Sequence, residues 1–307
     1  MNIPRISVVL PTHNRADYLA LAVASALAQT ESDIELIVVD DASTDNTPEL
    51  LAHLAVADKR IHVIRNNVSV GGAGARNAGI QASRGEWVAF LDDDDEWLPQ
   101  KLERQRALLD MTPAAVACSC DYIQISPSGS TKLMQLPQNI SFDEILSENR
   151  LGGASMCFCS RALIMSIGGF DVQFRSGQDW DLWVRLREQG AVAVCNEPLV
   201  RYLSHEGVRI SNNMNAQYAG NRRFFFKHRK KMNLEVRRQL LAYCSFIKSR
   251  QTTRSFSSRL LYLKIAFISS GWRHRLEYLR SSLPRLLFDA VRGLRNALTN
   301  RNFQNKQ

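Results

Sequence analysis

Hydrophobic runs and helical patterns alternate along the first part of the chain. Apolar runs bounded by turn residues predict strands over residues 6–10, 35–39, 61–64 and 86–91. Apolar residues at helical spacing predict helices over residues 16–29, 47–57 and 74–82. This order predicts an α/β fold with a mostly parallel sheet that is flanked by helices on both faces.

A cluster of polar or glycine residues follows each of these strands. The clusters are residues 11–14, Asp40 with Asp41, residues 71–77, and the row from Asp92 to Asp95. In sheets of this kind, ligands bind outside the carboxyl ends of the strands. The sequence therefore predicts one site that is built from several strand ends.

The acidic row, which consists of Asp92, Asp93, Asp94 and Asp95, needs either full solvation or a cation. Two carboxylates about 6 Å apart repel by roughly 3 kcal/mol at an effective dielectric constant of about 20. Mg²⁺ or Mn²⁺ would relieve this repulsion, because these ions prefer hard oxygen ligands and also bind substrate phosphates. The alternative is a solvated acidic turn followed by a helix, with Asp95 or Glu96 near its positive end.

The other strand ends also admit a structural and a functional interpretation. Asp40 and Asp41 either cap the next turn or accept hydrogen bonds from a nucleobase or a ribose hydroxyl. The glycine-rich residues 71–74 let the backbone approach a ligand and open a helix that attracts anions. Arg76 and Asn77, in the predicted first turn, would add a cation and an amide beside phosphates. A structural salt bridge explains Arg76 equally well.

Motifs of several other nucleotide-binding and hydrolytic folds are absent from the sequence. Residues 11–14 lack the glycines of G-x-G-x-x-G, and no G-x-x-x-x-G-K-[ST] loop occurs. The acidic row lacks the glycine and the spaced ligands of a calcium loop. Neither H-E-x-x-H nor G-x-S-x-G is present.

Taken together, the strand-end segments resemble the successive motifs of the family 2 glycosyltransferases. They are ISVVLPTHNR at residues 6–15, LIVVDDASTD at 36–45, GAGARNAG at 72–79 and FLDDDD at 90–95. The resemblance covers about residues 5–210, and the ordered set is more specific than any single motif. It implies a GT-A fold, a nucleotide-sugar donor, a divalent cation, Mn²⁺ or Mg²⁺, and transfer with inversion at the anomeric carbon.

The resemblance also implies site roles. Asp92 and Asp94 would form the acid-x-acid motif that holds nucleotide and metal, with Asp94 as the more direct metal ligand. Pro11, Thr12 and Asp41 would line the base and ribose pocket. The residues expected to bind the nucleotide sugar are Pro11, Thr12, Asn14, Asp41, Arg76, Asn77, Asp92 and Asp93.

Residues 177–186 resemble the acidic catalytic segment of the same family at a helix start. Gln178 stands where a glutamate usually precedes the catalytic aspartate, and the resemblance places the general base at Asp179, with Asp181 in reserve. A general base has to reach the acceptor hydroxyl and hold a usable pKa. The alternative is that both aspartates only cap and charge the helix start while the apolar residues face the core.

Two further segments resemble family features. His205 lies where some related enzymes place a histidine near the metal or the diphosphate, although a histidine in a surface loop is the commoner state. Residues 168–171, Gly-Gly-Phe-Asp, resemble a turn that shapes the acceptor side. These glycines could also do no more than turn the chain.

Length and composition set the outer limits. With 307 residues and 45% apolar content, the chain can bury a large core. We expect a catalytic domain over residues 1–215, with a nucleotide-sugar half at about 1–110 and an acceptor half at 111–215. The six cysteines show no paired C-x-x-C pattern, and the start leads straight into a strand, so we expect reduced thiols and a cytoplasmic location. No apolar run approaches about 18 residues, so no membrane span is predicted.

Charge is divided sharply along the chain. Residues 216–307 contain 21 Lys plus Arg and 3 acidic residues, a net charge of +18, whereas the other 18 basic and 27 acidic residues give −9. We expect this part to be a basic helical extension that binds anionic membranes, with Leu, Phe and Val interleaved among arginines over residues 272–298. The alternatives are a helical bundle that packs on the catalytic domain and, without any recognition motif, nucleic-acid binding.

These observations predict an enzyme of glycan synthesis. It would transfer a sugar from a nucleotide sugar, expected to be a UDP-sugar, to a hydroxyl of a cell-surface polysaccharide or its lipid-linked precursor, at the cytoplasmic face of the membrane. One alternative is a noncatalytic nucleotide-sugar-binding or assembly subunit, which Gln178 favours. A sugar-nucleotide pyrophosphorylase is a weaker alternative, because its glycine- and lysine-rich loop after the first strand is missing.

Overall fold

The computed structural model describes residues 4–204 and 213–251, with side chains up to residue 248. The chain divides into two compact units, Met1–Asn212 and Asn213–Gln307. The assignment of a catalytic role to one part and an accessory role to the other stays a prediction. His205 and residues 272–298 lie outside the described residues.

One mixed sheet forms the centre of the first unit. Within the described residues, its strands are β1 (Ile6–Thr12), β2 (Ile34–Asp40), β3 (Ile61–Arg65), β4 (Trp87–Phe90), β5 (Asp95–Trp97), β6 (Ala115–Ile125), β7 (Thr131–Met134), β8 (Phe158–Ser160) and β9 (Ala191–Leu203). Their order in the sheet is β3-β2-β1-β4-β8-β6-β9-β5, and β7 pairs with β6. β3, β2, β1 and β4 are parallel, as are β6 and β9, whereas β8, β5 and β7 run antiparallel to their neighbours.

Helices alternate with these strands along the chain. In the first unit they are α1 (Ala16–Leu27), α2 (Thr47–Ala57), α3 (Gly71–Ala82), α4 (Lys101–Met111), α5 (Phe142–Ser147), α6 (Arg161–Ser166) and α7 (Gln178–Gln189). Several start signals are local, such as the capping box of Ser141 and Glu144 at α5. Gly177 precedes α7 with φ at 76°, a left-handed conformation that favours glycine.

The core explains why the first strands are continuous apolar runs. Every residue of β1 and β2 is buried, as expected for parallel strands that are covered on both faces. The polar exceptions are satisfied internally, because Ser7 Oγ and Arg84 Nε donate to the Glu35 carboxylate at 2.6 and 2.8 Å. Burial of these hydrogen bonds is therefore compatible with the apolar centre of the sheet.

The predicted α/β architecture is confirmed, and one local prediction is wrong. Helix α3 begins at Gly71 and not at Gly74, so Arg76 and Asn77 lie in its second turn. The acidic row runs into the short strand β5, which begins at Asp95, and the next helix begins only at Lys101. Strand β5 forms because it pairs with β9, which a local pattern does not reveal.

The second unit contains two described helices, α8 (Met214–His228) and α9 (Leu234–Gln251). Its buried side chains include Phe224, Val236 and Leu240, while a series of basic residues is exposed: Arg222, Lys227, Arg229, Lys230, Lys231, Arg237 and Arg238. Across the described parts of the chain, no helix is both long and apolar enough to cross a membrane.

Candidate active site

The polar strand ends meet at one edge of the sheet. Thr12 Oγ1, at the end of β1, donates to Asp93 Oδ2 at 2.7 Å, and Arg76 of α3 forms an ion pair with Asp92. Asp41, directly after β2, accepts a hydrogen bond from the Gly71 backbone N–H at 2.8 Å. The carboxyl ends of β1, β2 and β4 and the start of α3 therefore contribute to one group of side chains.

Hydrogen bonds with Ser155 hold both ends of the acidic row. Ser155 is fully buried, and its Oγ donates to the Asp95 carboxylate while it accepts a hydrogen bond from Asp92 N at 3.0 Å. The Ser155 carbonyl also accepts a hydrogen bond from Trp97 Nε1 at 3.0 Å. One short segment, residues 154–156, thus fixes both ends of the row.

The site carries more negative than positive charge. Besides the acidic row it includes Asp179, and the cations that pair with the row are Arg76 and Arg15, whose NH1 lies 3.6 Å from Asp94 Oδ2. Burial raises the pKa of Asp93 to about 7, and the charges of Asp94 and Asp92 add to this effect. A buried carboxylate beside other carboxylates is expected to hold its proton more tightly in this way.

The donor set fits a divalent metal ion. Asp94 and Asp92 supply hard carboxylate oxygens, and a cation would relieve the charge that raises the pKa of Asp93. In the described ranges, no three His, Cys, Asp or Glu side chains come together as a complete metal-binding group. Mg²⁺ and Mn²⁺ do not need such a group, because water and substrate phosphates complete their coordination.

Arg76 is held on several sides. Its NH1 donates to Gln178 Oε1 at 3.1 Å, and its guanidinium carbon lies 5.4 Å from the centre of the Phe170 ring. Burial disfavours its charge, but Asp92 and Asp179 outweigh this, so the pKa of Arg76 is raised. The buried Nε has no hydrogen-bond partner among the described residues.

Asp179 and Asp181 lie two residues apart in entirely different surroundings. Asp179 is partly exposed, and its carboxylate accepts hydrogen bonds from Asn149 Nδ2 at 3.2 Å and Trp180 N at 2.9 Å. Burial, followed by the charge of Asp92, raises the pKa of Asp179 above the ordinary aspartate value. Asp181 is fully buried, and Arg185 Nε lies 2.8 Å from its carboxylate. Asp181 therefore forms a structural ion pair, whereas Asp179 is affected by the charges of Arg76 and Asp92, and its role as the base stays a prediction.

Asp41, another expected site residue, forms its hydrogen bonds within the protein. Asp41 accepts four hydrogen bonds, from Asn66 Nδ2, Ser69 Oγ, Val70 N and Gly71 N, at 2.7 to 2.9 Å. Burial opposes its ionisation, but these donors prevail and lower the pKa of Asp41. Nucleotide binding by Asp41 stays a prediction, and here its carboxylate already anchors the loop that leads into α3.

Asn77 and Asn14 are also engaged within the protein. The Asn77 amide donates to Phe170 O and accepts from Phe170 N, both at 2.8 Å. Gly169 has φ at 63°, and a Cβ there would lie 2.4 Å from Asn77 Oδ1, so this pairing requires the glycine turn. Asn14 accepts a hydrogen bond from Thr44 N at 2.7 Å. Pro11 is buried within β1.

Sequence reasoning missed several contributors. Ser155 and Asn149 reach the site from segments that carry no motif, and only the folded chain brings them to Asp92 and Asp179. Arg15 closes a recognised motif, and its position directly after the polar cluster of residues 11–14 was a usable signal. A cation is the expected companion of an acidic row.

Comparison with known proteins identifies the family. The model described as Glycosyl transferase family 2 matches residues 7–166, a span that includes β1 to β4 and the acidic row. The chain belongs to the family 2 glycosyltransferases. The family resemblance stated from the sequence is therefore confirmed, and Arg76 and the acidic row lie within the matched residues.

Two relatives and two solved structures define what this glycosyltransferase is similar to. The putative teichuronic acid biosynthesis glycosyltransferase TuaG of Bacillus subtilis (strain 168) is 32% identical over 205 residues, which are 65% of this chain and 79% of TuaG. The UDP-Glc:alpha-D-GlcNAc-diphosphoundecaprenol beta-1,3-glucosyltransferase WfaP of Escherichia coli is 30% identical over 190 residues, 61% of this chain and 72% of WfaP.

The solved structures confirm the fold. A crystal structure of S. aureus TarS, residues 1–349, has a TM-score of 0.63 at 17% identity and covers 88% of this chain and 82% of that one. TarS has also been crystallised with UDP-GlcNAc. The mannosyltransferase PcManGT from Pyrobaculum calidifontis, in complex with GDP-Man and Mn²⁺, has a TM-score of 0.55 at 18% identity, covering 96% of this chain and 80% of PcManGT.

Proposed function

We propose that this glycosyltransferase is an inverting, metal-dependent enzyme that uses a UDP-sugar and acts on a hydroxyl of an envelope polysaccharide or its lipid-linked precursor. The observation that carries the proposal is the arrangement of unbalanced carboxylates around one guanidinium, with Asp92, Asp179 and Arg76 close enough to perturb one another. This arrangement supplies the two charges that transfer needs, a cation for the leaving diphosphate and a base for the acceptor.

Each residue has a defined task in this proposal. Asp94, with Asp92, would hold Mn²⁺ or Mg²⁺, and the bound metal would stabilise charge on the leaving nucleoside diphosphate. Arg76 would stabilise the same diphosphate through its charge. Asp179 removes the proton from the acceptor hydroxyl as that oxygen attacks the anomeric carbon. No protein nucleophile takes part, so the configuration at that carbon inverts in one displacement.

The relatives support the choice of donor and acceptor. WfaP is named for transfer from UDP-Glc to a sugar on diphosphoundecaprenol, and TarS has been crystallised with UDP-GlcNAc. TuaG is named for teichuronic acid biosynthesis, which points to a similar class of acceptor. Because PcManGT binds GDP-Man with Mn²⁺, the experiment should include donors with other bases.

A panel of nucleotide sugars tests this function. The protein is incubated with each donor, with Mn²⁺, Mg²⁺ or EDTA, and the release of nucleoside diphosphate is measured with and without lipid-linked acceptors. We expect metal-dependent release from a UDP-sugar, and greater release when a suitable acceptor is present. Binding without any release would favour the noncatalytic subunit. Formation of a nucleotide sugar from a sugar phosphate and a nucleoside triphosphate would favour the pyrophosphorylase.

We further propose that the second unit holds the enzyme at an anionic membrane, at the cytoplasmic face. In its described part, the half-exposed Phe226 ring lies under two guanidinium groups, with Arg222 and Arg229 at 5.6 and 5.2 Å from the ring centre. Basic residues near an anionic leaflet contribute about 1 kcal/mol each, and aromatic rings enter the interface.

Vesicle sedimentation tests the membrane proposal. Full-length protein should bind vesicles that contain phosphatidylserine at low salt, and binding should weaken as salt rises. The triple variant Arg222→Gln, Phe226→Ser, Arg229→Gln should bind several-fold less, whereas Arg60→Gln in the first unit, which removes another arginine, should not. Full-length protein that ignores anionic vesicles at low salt would contradict the proposal and favour a structural role for the basic helices.

A further inference from the structure

The position of Arg76 depends on Gln178, a residue that departs from the family pattern. Gln178 Nε2 donates to Phe174 O at 2.9 Å, which fixes the amide so that Oε1 faces Arg76. The Oε1 atom then accepts a hydrogen bond from Arg76 NH1 at 3.1 Å, while another nitrogen of the same guanidinium pairs with Asp92. The amide thus holds a cation without adding a charge.

Gly72 leaves room for the contact between Arg76 and Gln178, because it has no side chain. A Cβ at Gly72 would lie 3.1 Å from Arg76 NH1 and 3.7 Å from Gln178 Oε1. The first distance is shorter than most contacts of real Cβ atoms, so even an alanine there would displace the guanidinium by a few tenths of an ångström. Gly72 in the first turn of α3 therefore leaves room for the nitrogen atom that Gln178 of α7 holds.

We propose that Gln178 is a positioning residue that fixes the Arg76 guanidinium without neutralising it, so that its charge remains available to the diphosphate of the donor. The inference rests on the proposed function and deepens it. Asp92 and Asp179 already surround the guanidinium. A carboxylate in place of the Gln178 amide would add a third negative charge within hydrogen-bond distance and would repel the phosphates that Arg76 attracts.

Gln178 is therefore not a glutamate whose catalytic function has been lost; its neutral amide is the residue that suits this site. The family resemblance would suggest that glutamate is the better residue at position 178, and a noncatalytic protein could tolerate its loss. The geometry points to the opposite conclusion, because Arg76 already pairs with Asp92, and a carboxylate at position 178 would compete with the diphosphate for the same guanidinium. Here Gln178 sets the strength of phosphate binding, and Asp179 alone carries the proton transfer.

Nucleotide calorimetry on the full-length protein tests the proposal. UDP, GDP and ADP are titrated in the presence of Mn²⁺, and uridine is measured by competition. Gln178→Glu should weaken binding of the preferred diphosphate by about tenfold or more and leave uridine, which has no phosphate, within twofold. Gln178→Ala removes the hydrogen bond to Arg76 without adding charge, and it should weaken binding of the same diphosphate by roughly threefold. Gln173→Glu, the same change at an exposed glutamine, serves as the matched control and should have no effect.

Several outcomes would overturn the inference. Equal diphosphate affinity in wild type, Gln178→Glu and Gln178→Ala would do so, as would faster transfer by Gln178→Glu. If Gln178→Glu fails to fold, Gly72→Ala displaces the same guanidinium from α3 and should also weaken diphosphate but not uridine binding. Wild-type affinity in both Gly72→Ala and Gln178→Ala would then refute the role. If wild-type protein binds no diphosphate at all, the proposed function itself fails.

Discussion

The ends of β2 and β4 both carry adjacent aspartates, yet they use them in different ways. After β2, Asp41 accepts four hydrogen bonds from the loop before α3, and Asp40 accepts one from Ser43 N at 2.9 Å. After β4, the acidic row stands among other carboxylates, and burial together with neighbouring charge raises the pKa of Asp93 to about 7. The pKa of Asp41 is lowered instead.

Adjacent carboxylates therefore do not by themselves mark a ligand site. What matters is the supply of donors around them: where the protein provides enough N–H and O–H groups, the carboxylate becomes part of the fold. At the end of β4 each aspartate of the row also has a partner, but burial and the charges of neighbouring carboxylates still raise the pKa of Asp93. The comparison predicts that the two strand ends respond differently to substitution.

The largest effect is expected at Asp94. Asp94→Ala should reduce transfer by roughly 10³ and abolish the dependence of nucleotide affinity on metal, because one of two proposed metal ligands is lost. Calorimetry of UDP with Mn²⁺ and with EDTA, together with a transfer assay, measures both. Asp110→Ala is the matched control, since Asp110 also pairs with an arginine, Arg106, but on the exposed surface. Full activity in Asp94→Ala would refute the metal assignment.

The second prediction concerns Asp179. Asp179→Asn should lower transfer by roughly 10² or more while nucleotide affinity changes little, because only the base is removed. The pH profile gives an independent check. Since the pKa of Asp179 is raised and the base must be ionised, wild-type activity should fall on the acidic side at a pH above the ordinary aspartate value of about 3.9. An acidic limb that persists unchanged in the residual activity of the variant would assign it to another group.

Asp181 provides the contrasting prediction, in which stability changes more than chemistry. Asp181→Asn leaves Arg185 without its buried counter-ion and should cost about 3 kcal/mol of unfolding free energy. The double variant Asp181→Leu, Arg185→Met should recover much of this loss, because no unpaired charge remains. Urea unfolding measures both variants. A stable Asp181→Asn variant whose transfer falls as far as that of Asp179→Asn would move the base to Asp181.

The smallest effect is expected at Asp41. Asp41→Asn replaces one acceptor oxygen by a donor, so two of its four hydrogen bonds are lost and stability should fall by about 1–3 kcal/mol. Because the pKa of Asp41 is lowered on folding, its contribution is fully present above the unfolded value of about 3.9 and is lost as pH falls through the folded value. The difference in stability between wild type and variant should therefore shrink in acid.

A second variant separates anchoring of the loop from direct recognition of the base. Ser69→Ala removes one donor to Asp41 and leaves its charge intact. If Asp41 only anchors the loop, Asp41→Asn and Ser69→Ala should each weaken the binding of all nucleoside diphosphates to the same extent. A change of base preference in Asp41→Asn alone would instead support the contact with the nucleobase that the family resemblance implies.

The same contrast shows what the sequence could predict. β1 and β2 are long apolar runs because both of their faces are buried, and the polar residues after them mark the ligand edge. The different surroundings of Asp179 and Asp181 were partly predictable, since residues two apart on a helix point to different sides. Which side faces the core could not be known before α7 was placed. Ser155 and β5 owe their roles to partners distant in sequence, and local patterns carry no trace of such pairings.

The pairing of β5 with β9 has a consequence for how the protein reaches its working state. Asp95, the last residue of the acidic row, is in register with Tyr202 near the end of β9, and Ser155 arrives from between them in sequence. A fragment of residues 1–110 would keep the motifs that follow the first four strands but lack both supports. Contacts of such long range close late in folding. A nascent chain would therefore acquire its affinity for nucleotide only when nearly all of the first unit has been synthesised, and an incomplete chain would not compete for donor.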